Sequence, residues 1–287
     1  MIISGKASLG NVLIYRCEGT INSSCESLKS ELSRFPHSSI EFADSEKLAK
    51  KSWERKTDLL VLPGGVCSRW ELSLGYSGLE KIRDFVLSDG GKILGICAGS
   101  YFLSQKSLYQ TTSIRIEKER PYSIFPGIAR GPVSRAYESK TDFCRSTGLY
   151  PAECQDIAVA INLATPDDNR GACYYQGGPV IGPKSPETHR EVIARFDGDY
   201  DGDAITGFLP DETESAGAVV LCSPHIEYGS PRTRSPFEPI GIRTLFDRLD
   251  EHELFRQELL NRVVHFLFDK FDDDVEISSP VTPKIDN

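Results

Sequence analysis

Short apolar runs and helically spaced apolar positions take turns over the first hundred residues. The run Asn11-Val12-Leu13-Ile14-Tyr15 predicts a buried strand. After the turn Cys17-Glu18-Gly19-Thr20, apolar positions recur at helical spacing at Cys25, Leu28, Leu32 and Phe35. Ser39 to Ala43 reads as a second short strand. Asp58-Leu59-Leu60-Val61-Leu62 reads as a third, stopped by Pro63-Gly64-Gly65. Leu79, Ile82, Phe85 and Val86 mark one face of a helix that closes at Gly90-Gly91. A fourth strand starts at Lys92-Ile93-Leu94 and runs into Gly95-Ile96-Cys97-Ala98-Gly99, with a helix predicted from Ala98. Strands alternating with helices predict a parallel sheet with helices on both faces. Ligands of such sheets sit at the carboxyl ends of the strands, where both glycine-rich turns fall.

The pattern loosens in the second half. Phe125-Pro126-Gly127 and Arg130-Gly131-Pro132 read as loop punctuation. Asp156 to Ala164 and Tyr174 to Ile181 read as strands, the latter broken by Gly177-Gly178. Val192 to Phe196 and Ala204 to Phe208 are shorter strand candidates. Gly217 to Cys222 is a continuous apolar run, expected at the centre of the sheet, and it ends at Ser223-Pro224-His225-Ile226-Glu227. Phe255, Leu259, Val263 and Phe266 or Leu267 mark one face of a last helix. The expected organisation is an N-terminal extension (1–10), one domain (11–270) and an acidic, disordered tail (271–287). Gln105 to Glu117 suggests no role.

Composition narrows the function classes. A length of 287 residues with 39% hydrophobic positions suffices for a sizeable core, and a formal charge of −9 argues against nucleic acid or an anionic membrane as partner. No apolar run is long enough for a membrane span and Met1 to Gly10 lacks a signal-peptide core, so a cytoplasmic protein is expected. The eight cysteines form no C-x-x-C pair and show no zinc spacing, so no metal and no cofactor is expected. The aspartate-rich Asp197 to Asp203 lacks the twelve-residue loop and closing glutamate of a calcium site and reads as a solvated turn.

The chemistry centres on Cys97. Glycines two residues to either side permit a tight strand-to-helix turn that pushes the thiol out at the strand end. The helix N-terminus beyond it favours the thiolate. His225 follows the end of another buried strand. If the two strands belong to one parallel sheet, both side chains project over the same edge, and the imidazole can take and return the thiol proton. Glu227, at H-x-E spacing, falls on the same side and can hold the ring's tautomer and orientation. The backbone N–H of Ala98 and one from the Gly64-Gly65 turn are the expected oxyanion donors.

These motifs, in this order, resemble the class I glutamine amidotransferase fold. Nearer still, they are similar to the N-terminal domain of eukaryotic, mainly fungal, biotin protein ligases. The matching segments are Asn11 to Tyr15 with Gly19-Thr20, Leu62 to Gly65, Gly95 to Phe102, Phe125 to Pro132, Tyr174 to Gly178 and Pro224 to Glu227. The resemblance implies a flavodoxin-like, doubly wound, mostly parallel α/β sheet with extra strands in the second half. It implies Cys97, His225 and Glu227 as a triad, with Tyr101, Gly177 and Gly178 joining the substrate-binding positions. Tyr101 stands where glutamine-using members usually carry glutamine. The ligase domain of the family lies downstream and is not expected in this chain, so the chain should not ligate biotin by itself. The expected function is a cysteine-dependent amidase or hydrolase working through an acyl-thioester. Its expected partners are a small amide or acyl substrate and a separate ligase or synthetase. The alternative is a catalytically silent module of the same fold that binds a small molecule or a partner.

Overall fold

The computed structural model describes residues 8–50, 52–134, 137, 158–183, 190–198, 202–210, 217–229 and 240–268. The first four strands are β1 (Asn11–Tyr15), β2 (Ser39–Ala43), β3 (Leu59–Leu62) and β4 (Lys92–Ile96). Next come β5 (Ser104–Gln110), β6 (Arg115–Glu119), β7 (Phe125–Gly131), β8 (Val159–Ala164) and β9 (Arg170–Tyr175). The last are β10 (Val180–Pro183), β11 (Arg190–Phe196), β12 (Asp203–Phe208) and β13 (Val219–Cys222). The helices are α1 (Asn22–Leu32), α2 (Ser45–Lys50), α3 (Cys67–Leu87), α4 (Ala98–Leu103), α5 (Ile240–Glu251) and α6 (Glu253–Phe268).

Among the described residues, thirteen strands share one sheet, in the order β2-β1-β3-β4-β13-β12-β10-β7-β5-β6, with β11, β8 and β9 branching from β12. The segment β2-β1-β3-β4-β13 is parallel throughout. That order is the flavodoxin-like doubly wound one. Apart from the edge strand β2, its strands are largely buried on both faces, so they read as continuous apolar runs. Val12, Ile14, Val61, Leu94 and Val220 pack with Leu28 and Leu32 of α1 and Leu259 and Val263 of α6. The alternate positions Leu13, Leu60, Leu62, Ile93 and Leu221 pack with Trp70, Ile82 and Phe85 of α3 and Phe102 of α4.

Beyond β13 the sheet turns largely antiparallel, with β5 and β7 as a parallel pair. Two readings of the second half are corrected here, and Gln105 to Glu117 gains a structural place. Phe125 to Gly131, read as loop punctuation, is β7, a strand between β10 and β5. Its Gly and Pro residues mask a pattern in which Phe125, Gly127, Ala129 and Gly131 alternate inward. Gln105 to Glu117 contributes β5 and β6. The second carries charges along an exposed edge, which protects it from pairing with another chain and erases any apolar signature. Tyr174 to Ile181 is not one broken strand. β9 pairs with β8, whereas β10 sits between β12 and β7. Residues 1–7, 271–287, His189, Asp199 to Asp201 and Pro231 to Ser235 lie outside the described residues.

Candidate active site

β3, β4 and β13 are neighbours, and each ends on the same edge of the sheet with one part of the site. β4 delivers Cys97, whose φ of 49° and ψ of −98° put a side-chain-bearing residue in a strained turn. The flanking glycines make it possible. A Cβ on Gly99 would lie 2.5 Å from the Leu62 carbonyl oxygen, and one on Gly95 would lie 2.7 Å from the Gly99 carbonyl carbon. The turn is fastened to β13, because the Cys97 N–H donates to the Cys222 carbonyl at 2.7 Å. The Ser100 hydroxyl lies 2.9 Å and 3.0 Å from the carbonyl oxygens of Gly95 and Cys222.

β13 delivers His225 and Glu227, both buried. Nδ1 of His225 is 2.7 Å from Oε1 of Glu227. A carboxylate only accepts, so Nδ1 carries a proton and Nε2 is the nitrogen left to exchange one with another group. Nε2 is buried and makes no hydrogen bond of ordinary geometry among the described residues. Burial opposes charge on the ring, but Glu227 and then Cys97 outweigh it, and the His225 pKa is pushed up to about 10. The ring is caged as well. Tyr228 stacks on it with centroids 5.2 Å apart, and Tyr174 meets it edge-on at 5.7 Å. The His225 N–H donates to the Tyr174 carbonyl at 2.9 Å.

β3 delivers Gly64 and Gly65. Gly64 lies flat against the imidazole, where a Cβ would sit 2.4 Å from His225 Cε1. Its N–H is taken, donating to the Ser24 hydroxyl at 3.3 Å. The Gly65 N–H makes no hydrogen bond among the described residues. Ala98, first in α4, has no intrahelical acceptor for its own N–H. Of the predicted oxyanion donors, Gly65 and Ala98 are therefore the ones left free.

Tyr101, Gly177 and Gly178 also gather here, but their polar atoms bond to the protein itself. The Cys97 thiol donates to the Gln176 carbonyl at 3.6 Å. Tyr101 donates to the Gly177 carbonyl at 3.1 Å and Tyr175 to the Gly178 carbonyl at 2.7 Å. Tyr174 donates to the Gln176 side chain at 3.1 Å. The turn Gln176-Gly177-Gly178 thus lies over the thiol, pinned by three tyrosines, and Cys97 is only 6% exposed.

Two contributors escaped the sequence reading. Ser24 of α1 donates to Glu227 Oε1 at 2.6 Å. Arg256 of α6 donates to the Ile226 carbonyl at 2.5 Å and to Glu31 of α1 at 3.0 Å. A signal existed for both. Ser24 is one helical turn before Leu28, and Arg256 one turn before Leu260, so each is a polar residue on a buried stripe. Among the described residues no group of three His, Cys, Asp or Glu side chains is placed to hold a metal, and no helix is long and apolar enough to cross a membrane.

Known proteins share this architecture. The family model for the biotin-protein ligase N-terminal region matches residues 10–283. An uncharacterized protein of Chlamydia muridarum is 30% identical over 177 residues, covering 61% of this chain and 62% of that protein. The biotin–protein ligase of Schizosaccharomyces pombe is 28% identical over 267 residues, covering 90% of this chain and 38% of the ligase. The chain therefore spans less than two thirds of either relative. Among solved structures, a glutamine amidotransferase from Thermotoga maritima superposes with a TM-score of 0.51 at 14% identity, over 90% of this chain and 98% of that one, which is a likeness of fold. With the match running nearly end to end, the chain belongs to the biotin-protein ligase N-terminal family, built on a glutamine amidotransferase-like fold.

Proposed function

We propose that the chain is a cysteine-dependent amide hydrolase of glutamine amidotransferase type. The observation that supports this reading is the alignment of Cys97, in a strained strand-end turn, with a buried His225 whose Nδ1 is committed to Glu227. On this reading His225 Nε2 holds the proton given up by the thiol, the two forming an ion pair, and Sγ attacks the amide carbonyl carbon. The C=O electron pair moves onto oxygen, which the Ala98 and Gly65 N–H groups receive. The tetrahedral adduct collapses, and the leaving amine departs with the proton from Nε2. Water then attacks the thioester, giving one proton to Nε2, and the departing thiolate recovers it. The products are a carboxylic acid and an amine, or ammonia that passes to a separate ligase or synthetase. The raised proton affinity of His225 suits the acid half of this cycle.

The test is intact-mass detection of an acyl adduct on Cys97 during incubation with small primary amides, together with ammonia release. Loss of both on alkylation of Cys97 is expected. Turnover that survives complete alkylation overturns the reading.

One observation favours a second reading, a silent binding module. The thiol is covered by the Gln176 turn and spends its hydrogen bond on it. On that reading a ligand or partner occupies the cleft without covalent chemistry, and no adduct forms with any amide.

A further inference from the structure

Helix α1 touches the turn that carries His225 and Glu227 at two points and reaches it at a third through Arg256 of α6. Ser23 and Tyr228 share a hydroxyl–hydroxyl bond of 2.8 Å. Ser24 donates to Glu227 Oε1 at 2.6 Å. Glu31 pairs at 3.0 Å with Arg256, which in turn holds the Ile226 carbonyl. The middle contact differs from the others in its burial and its connectivity. Ser24 is fully buried, and its hydroxyl does two jobs, giving its proton to Glu227 and accepting the Gly64 N–H. It thereby joins the base's carboxylate to the glycine turn that packs on the imidazole.

We propose that Ser24 is a positioning residue, fixing the plane of the Glu227 carboxylate so that Oε1 stays aimed at His225 Nδ1. The proposal rests on the reading of Cys97, His225 and Glu227 as a reactive set. Oε1 accepts from both Ser24 and His225, whereas Oε2 is buried with no partner among the described residues. With the Ser24 hydroxyl in place, rotation of the carboxylate breaks two charge-assisted hydrogen bonds at once and gains nothing at the other oxygen. Without it, one bond alone opposes rotation. The carboxylate then also lacks a donor in a buried setting, a loss that is steep for a charged acceptor. Gly64 loses its acceptor too, so the turn against the imidazole slackens.

The experiment compares wild type, Ser24→Ala, Ser23→Ala and Glu227→Gln by two readouts on the full chain. The first is the His225 Nδ1–H proton resonance, observed downfield of the amide envelope in protein labelled with nitrogen-15 at histidine. The second is the rate of Cys97 carbamidomethylation at pH 7, followed by peptide mass spectrometry. Ser24→Ala is expected to shift the resonance upfield and speed its exchange with water, while Ser23→Ala leaves it in place. Ser24→Ala is expected to slow carbamidomethylation about tenfold, and to add nothing further in the Glu227→Gln background. An unmoved resonance in folded Ser24→Ala overturns the proposal. So does an equal further loss in the Glu227→Gln background, because that is the mark of a structural role. If His225→Ala leaves Cys97 reactivity at the wild-type level, the catalytic reading fails, and the resonance still decides the role of Ser24. Should Ser24→Ala not fold, Ser24→Cys keeps the shape with a poor donor, and the same resonance decides.

Discussion

Tyr101 donates a hydrogen bond of 3.1 Å to the Gly177 carbonyl, tying the helix that follows Cys97 to the turn that covers it. The space is tightly filled, since a Cβ on Gly131 would lie 2.0 Å from the Tyr101 hydroxyl. Removing that hydroxyl loosens the cover and keeps the ring. Tyr101→Phe is expected to raise the rate of Cys97 alkylation by roughly three- to tenfold, the equivalent of one neutral hydrogen bond. A rate equal to or below wild type means that the Gln176 turn does not limit access to the thiol.

Among the described cysteines, reactivity should be confined. Burial pushes the thiols of Cys25 to about 11 and Cys173 to about 12, and drives Cys222 upward as well. Peptide mapping after brief iodoacetamide treatment of the native protein at pH 7 should find Cys97 labelled ahead of these three. Labelling of Cys173 or Cys222 at a matching rate contradicts the prediction.

The buried His225–Glu227 pair should couple stability to pH. His225 rises from its ordinary 6.5 to about 10 in the folded protein. The folded state therefore holds more protons than the unfolded one between those values. The stability this contributes is complete below about 6.5 and is lost as pH climbs toward about 10. Thermal unfolding midpoints should fall across that window in wild type and fall less in His225→Gln. Parallel curves for the two proteins argue against a charged ring.

Gly64→Ala tests the glycine turn directly. The new methyl would lie 2.4 Å from His225 Cε1, too close to coexist with the observed ring position. A cost of about 1–3 kcal/mol is expected from overpacking. Cys97 should lose reactivity at pH 7 to the level of His225→Ala, read by the same alkylation assay. Wild-type reactivity in Gly64→Ala shows that the ring has room to retreat without consequence.

Arg256→Met removes the buried guanidinium that joins Ile226, Glu31 and Glu253. Both carboxylate partners reach water, with Glu31 17% and Glu253 32% exposed, so they rehydrate in part. An expected loss of about 2 kcal/mol follows, less than for a fully buried pair. Chemical denaturation measures it. A change below about 0.5 kcal/mol counts against a role in fixing the His225 turn.

The parallel half of the fold was legible in the sequence because its strands are buried on two faces and leave unbroken runs such as Leu59 to Leu62 and Val219 to Cys222. Cys97 was legible for a different reason, the paired glycines that its turn demands. The antiparallel extension was not. β7 buries every second residue, but beyond Phe125 it does so with Gly and Ala, and β6 buries almost nothing. α2 has six residues, too few to establish a period. Ser24 and Arg256 act through partners far away in the chain, and position in a helix shows only that they face inward.

The place of β13 beside β4 sets an order of assembly. The strand that brings His225 and Glu227 comes from late in the chain, yet it must slot against the strand that ends at Cys97. During synthesis the elbow and its thiol emerge long before His225. A growing chain that has not reached Val219 carries the cysteine with no imidazole beside it and β4 with an open edge. On the proposed reading, a reactive Cys97 is thus gained only when two distant parts of the chain have closed on one another.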